Sequence, residues 1–122
     1  MNAANAATTS EMISRVRGRI GDIRSRSFGE LAALPEVETA RLNVLGEVVW
    51  LTVYRKAQSQ GNVLLVVQAS TDRSFNFDLG VDKSNTDELE DDLFHVEGFI
   101  ARVNGQMIDA PDDLLQPYQP AA

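Results

Sequence analysis

The sequence predicts an α+β fold, with N-terminal helices packed on one face of a four- to five-stranded antiparallel meander sheet. Three observations carry that expectation. Apolar residues recur with a helical period over residues 9–34 and with a strand period from residue 38 onward. Two runs, EVVWLTVYRK and NVLLVVQAST, are dense in Val, Leu and aromatic residues and are joined by the short polar segment AQSQG, the pattern of a central hairpin. Near the C-terminus Asn104-Gly105 gives a strong hairpin-turn signal, because both residue types accept a positive φ.

The first seven residues, MNAANAA, are small and polar and are expected to be a flexible N-terminus. Thr8-Thr9-Ser10-Glu11 has the form of a capping box with Thr8 as the cap. After it, Ile13, Val16, Ile20 and Ile23 are spaced three, four and three apart, one stripe of a helix. The stripe is narrow, so the helix should lie on a surface and not inside a core. Gly18 and Gly21 each cost roughly 0.5–1 kcal/mol in a helix interior relative to Ala. Ser27-Phe28-Gly29-Glu30 is a second capping box; it opens a short helix with Phe28, Leu31 and Leu34 on one face and Pro35 as the stop. A break is therefore expected near residues 25–27.

From residue 38 the period is two. Ala40, Leu42 and Val44 alternate with Arg41 and Asn43, and Leu45-Gly46 suits a tight turn. In the central strands Val49, Leu51 and Val53 point one way, with Val63, Leu65 and Val67. Trp50, Thr52 and Tyr54 point the other way, with Leu64, Val66, Gln68 and Ser70. In the last long strand, residues 94–103, Phe94, Val96 and Ile100 are assigned to the core face, and His95, Glu97 and Phe99 to the opposite face. Residues 106–108 should return as an edge strand. The domain limits follow: 1–7 flexible, 8–110 a single domain with its sheet over 38–108 and an acidic loop at 72–93, and 111–122 a coil tail punctuated by Pro111, Pro117 and Pro120.

Composition excludes several classes. A chain of 122 residues, 43% apolar and 24% charged, is one ordinary domain. No apolar run approaches the ~20 residues needed to cross a bilayer, and the first ten residues lack the charged-then-apolar order of a secretory signal, so a cytoplasmic protein with no membrane association is expected. With no cysteine, disulfides and thiolate chemistry are out. The net charge of −7 disfavours nucleic acid. That charge is uneven: residues 1–35 hold five arginines against three acids, and the rest of the chain six basic residues against fifteen acids.

No motif nominates a catalytic residue, a cofactor site or a metal site. His95 is the one histidine, which leaves no second base or multi-histidine ligand set. The acids of residues 82–92, in the order DKSNTDELEDD, lack the EF-hand spacing. Gly18-Arg19-Ile20-Gly21 resembles the GxxG loop of KH RNA-binding domains, yet no strand precedes it as that arrangement requires. Two surfaces stand out instead. The mixed sheet face would show Trp50, Tyr54, Gln68, His95 and Phe99, unless the acidic loop or the tail folds across it. The helix would show Arg15, Arg17, Arg19, Arg24 and Arg26. The reading is a non-enzymatic protein-interaction module, its partner another protein or its own copy. The alternative is nucleic-acid binding through the arginines.

Overall fold

The structure, a computed structural model, describes residues 3–71 and 93–119. It has the expected α+β architecture: helix α1 (Ala3–Arg24), short helix α2 (Phe28–Ala32), then strands β1 (Val37–Val44), β2 (Glu47–Ala57), β3 (Val63–Thr71), β4 (Phe94–Ala101) and β5 (Met107–Asp109). The five strands form one open antiparallel meander in chain order. A last helical turn, α3 (Asp112–Leu115), runs into a 3-10 turn at Gln116–Tyr118.

Helix α1 begins five residues before the predicted Thr8 cap. The alanine-rich start, with four Ala among residues 3–7, has the highest intrinsic helix propensity and carries the helix through the two threonines. Thr8 consequently lies buried within the helix, not capping it. The buried line is Met12, Val16 and Ile23, with Ile20 packed beside it. At 3.6 residues per turn these three fall within about 40° of one another, whereas Ile13 sits about 60° beyond Val16; Met12, not Ile13, heads the stripe. Gly18 and Gly21 lie inside this continuous helix, so the GxxG resemblance does not extend to a loop. Helix α2 has the predicted capping box: Ser27 Oγ accepts from the Glu30 amide at 3.2 Å, and Glu30 Oε1 accepts from the Ser27 amide at 3.4 Å. It buries Leu31, with Phe28 and Leu34 beside it.

The β2–β3 ladder runs unbroken from Val49↔Thr71 to Ala57↔Val63. Helices α1 and α2 cover one face of it, through Val49, Val53, Val63, Leu65, Val67 and Ala69. On β4 the faces are the reverse of the expectation. Leu65 pairs with Phe99 and Val63 with Ala101, and residues directly opposite share a face. Phe99 and Ala101 are therefore core, and Phe94, Val96 and Ile100 look the other way. One side of β4 is apolar and the other carries His95 and Glu97 beside Phe99 and Ala101, so polarity pointed to the wrong phase; a one-residue shift exchanges every side chain. The apolar side, away from the helices, is covered too. Leu115, with Leu114 and Tyr118, packs on Leu64, Val66, Val96 and Ile100, and the expected coil tail is a second, smaller cover.

Two turns have measurable consequences. Leu45 and Gly46 both have positive φ, 53° and 82°, as a two-residue hairpin of this hand requires. Leu45 is exposed there and gains nothing from burial to offset a left-handed backbone. Leu45→Asn is expected to stabilise the fold by about 0.5–1 kcal/mol, read as a higher urea midpoint; an unchanged or lower midpoint would contradict the strain. At Gly98 an added Cβ would come within 2.8 Å of both the Leu65 carbonyl oxygen and Leu115 Cδ2. Gly98→Ala is expected to destabilise by about 1–3 kcal/mol, with the midpoint falling accordingly.

Candidate functional site

The register sorts the predicted surface residues into two groups that never meet. Trp50 shares a row with Arg41, Ser70 and Phe94, and the next two rows place Thr52 beside Gln68 and Tyr54 beside Val66. His95 and Phe99 sit on the opposite, helix-covered face, across from Ala69 and Leu65. The candidate face of Trp50, Tyr54, Gln68, His95 and Phe99 is thus split by the sheet itself.

At the Tyr54–Gln68 end the C-terminal cover is specific. Gln68 Nε2 donates to the Tyr118 carbonyl, and Tyr54 Oη lies 3.4 Å from Gln68 Oε1. The Tyr54 and Tyr118 rings stand 4.9 Å apart and tilted. Burial pushes the Tyr118 hydroxyl pKa up, and Tyr54 adds to the shift. Trp50, nearer the other end, is half-buried.

The four arginines of α1 and Arg26 just beyond its end bracket the apolar stripe. Arg17 and Arg24 lie on one flank, Arg15, Arg19 and Arg26 on the other. Arg17 Nε donates to Glu97 Oε2 at 2.9 Å, and Arg24 lies 3.5 Å from Asp109 and 5.2 Å above the Phe99 ring. Arg19 reaches Asp22 at 2.8 Å and Glu38 of β1 at 3.9 Å. Arg15 and Arg26 pair with Glu11 and Asp22 on α1 itself. Each such exposed pair contributes ~0–1 kcal/mol; together they orient the helix across the strands. The basic face is matched by acids of α1 itself and by Glu97, Asp109 and Glu38 of the strands.

His95 and Glu97, two apart on β4, share a face as alternation demands. Glu97 Oε2 accepts from Arg17 and lies 2.7 Å from His95 Nε2. Partial burial works to raise the Glu97 pKa, but the His95 and Arg17 hydrogen bonds and charges outweigh it and hold the carboxyl below its ordinary value. Arg17 also lines a concavity of about 640 Å³ on the flank of α1, with Ala6, Thr9, Ser10, Ile13 and Ser14. Thr9 Oγ1 is buried there without a hydrogen-bond partner. Among the described residues no group of three His, Asp or Glu comes together as a metal-ligand set. The acidic segment 82–92 lies outside the described residues.

Sequence reasoning missed one surface. β1 is an edge strand of eight residues, and residues 37–41 are exposed on both of its faces. The Arg55 amide bonds the Glu36 carbonyl at 2.9 Å, which fixes the alternation. Even-numbered residues turn their main-chain groups to β2, and odd-numbered ones, including Val37, Thr39 and Asn43, turn theirs outward. Strand position in the meander was the available signal. At the other edge β5 has three residues, and Pro111 follows close behind.

The class defined by this geometry is a small α+β protein with an open five-stranded meander, covered on both sides at its centre and exposed over residues 37–41 of β1. No family model matches the chain, and no curated protein or solved structure matches it.

The Glu97 cluster sets a pH dependence. A carboxyl whose folded pKa lies below its unfolded value of about 4.5 adds stability above that value and loses it as pH falls through the folded pKa. The stability gap between the wild type and Glu97→Gln is therefore expected to be widest at neutral pH and to narrow on acidification below about 4.5. Urea titrations across pH check this; a gap independent of pH would contradict it.

Proposed function

We propose that this chain is a protein-interaction module that acts by binding an extended segment along β1, and not by catalysis. The observation that carries the reading is the bareness of β1. Val37 is 56% exposed and Leu45, at the far end of the hairpin, 68%, while the strand between them lies at the sheet edge with its odd-numbered main-chain groups outward. An unprotected edge of this length accepts a further strand, because each outward N–H and C=O finds its complement there. Natural edges are commonly guarded by proline, a bulge or charged side chains; β1 contains no proline or lysine, its register with β2 has no bulge, and its charged residues are Glu38 and Arg41 alone.

The two surfaces expected from the sequence support this reading less. The mixed sheet face is occupied at Tyr54 and Gln68 by Tyr118. The α1 arginines, the basis for nucleic-acid binding, each have a carboxylate within 4.0 Å, and the chain as a whole is acidic.

A dye-labelled peptide with the sequence of residues 37–44, titrated with dilute protein, is expected to gain fluorescence anisotropy. Thr39→Pro, which removes one outward N–H and, on the β2 side, only the 3.1 Å hydroxyl contact of Thr39 with Thr52, is expected to weaken binding at least ~10-fold, and Thr39→Val, which removes that hydroxyl alone, is expected to leave binding unchanged. No anisotropy change at any protein concentration would end the strand-addition reading.

A further inference from the structure

We infer that the concavity between the β2–β3 and β4–β5 turns is a binding site for a small aliphatic carboxylate, separate from the β1 edge. It has a volume of about 330 Å³ and is lined by Gln60, Asn62, Arg102, Val103 and Asn104. Register brings the two turns together: Val63 pairs with Ala101, and Ala101 with Met107. The main-chain contacts of these turns decide the polarity of the lining. Asn62 Oδ1 accepts from the Val103 amide at 3.3 Å, and Asn104 Oδ1 accepts from the Gln106 amide at 2.9 Å. A main-chain N–H needs an oxygen to receive it, so both carboxamides are fixed with Oδ1 on the backbone and Nδ2 left to donate. Arg102 adds a guanidinium. It donates to Gln106 Oε1 at 3.3 Å, and among the described residues it pairs with no carboxylate. Three neighbouring side chains thus offer donors, and no resident anion competes for them.

Charge supports an anion and limits which one. Residues 56–64 and 100–108 contain Lys56 and Arg102 and no acid, in a chain with 18. One guanidinium among neutral amides balances a single negative charge. A phosphate dianion would add an uncompensated charge to a molecule already at −7. A planar guanidinium also meets a carboxylate through two parallel hydrogen bonds. Val103, 58% exposed, supplies an apolar wall for the ligand's carbon chain.

The concavity is open and the ligand small, so a dissociation constant of ~1–10 mM is expected. The test is a titration of the isotope-labelled full chain with butyrate, with butyramide as the uncharged control. NMR signals of the Asn62 and Asn104 side-chain amides and of Arg102 Nε report binding. Butyrate should move them along saturating curves, and butyramide should leave them in place. Asn62→Asp keeps an oxygen for the Val103 amide but replaces the donating Nδ2 by a second carboxylate oxygen; it should weaken butyrate at least ~10-fold. Arg102 is exposed, so Arg102→Gln tests the site even where Asn62→Asp disturbs the turn, and it should weaken butyrate as much. Lys56→Gln, which removes a charge from the same end of the sheet outside the lining, should leave binding unchanged. Shifts that never saturate, an equal response to butyramide, or full affinity in Arg102→Gln overturns the inference. So does an equal loss in Lys56→Gln, which would reduce binding to general charge attraction.

Discussion

The β2–β3 ladder is the constraint on which the rest of the molecule depends. Its nine residue pairs hold two strands whose side chains are apolar on both faces for much of their length. Leu64 and Val66 on one side and Leu65 and Val67 on the other all have 1% or less of their surface exposed. A sheet of that kind cannot leave one face to water, as many antiparallel sheets do. It needs two covers, and it has them: α1 and α2 on one face, α3 and Tyr118 on the other. The arginine pairs along α1 and the Gln68–Tyr118 bond orient covers that apolar burial holds in place.

Both covers are centred on β3 and β4, because those strands carry apolar residues on both faces. β1 does not. Its alternation places Leu42 and Val44 toward the helices, but Glu38, Ala40, Thr39 and Arg41 give neither cover anything to bury. The strand is held by its ladder to β2 and by Leu42 and Val44 on the helix side, with residues 37–41 exposed. Function in this fold is therefore argued from where burial stops and not from a cleft.

Much of this architecture was legible in the sequence, and the gaps have physical causes. Periods of 3.6 and 2.0 located the helices and strands, and the Ser27 capping box and the Leu45-Gly46 and Asn104-Gly105 turns placed their boundaries, because local chemistry decides those features. The Thr8 cap failed because alanine propensity upstream competes with a capping signal and here wins. The phase of β4 failed because His95 and Glu97 mark as polar the side that the helices cover, where Glu97 bonds Arg17 of α1 and His95. For the tail, three prolines suggested coil, while Leu114, Leu115 and Tyr118 left open the cover that the structure shows. Of the candidate sites, Trp50, Tyr54 and Gln68 do share a face; His95 and Phe99 were separated from them by that same error of phase. The Arg17–Glu97 contact joins residues 80 apart and needs the crossing of α1 over β4, which no local pattern encodes. The bareness of β1 follows only once both covers are placed.

The central claim is that cover is two-sided at β3 and gives out over residues 37–41 of β1. Residue-resolved amide hydrogen exchange on dilute protein tests it most directly. Val37, Thr39 and Asn43 should exchange fastest among the strand amides, while Leu64 to Val67 should be slowest and approach the limit set by global unfolding. Protection at Val37 and Thr39 equal to that at Val66, in a solution too dilute for association, would contradict the account.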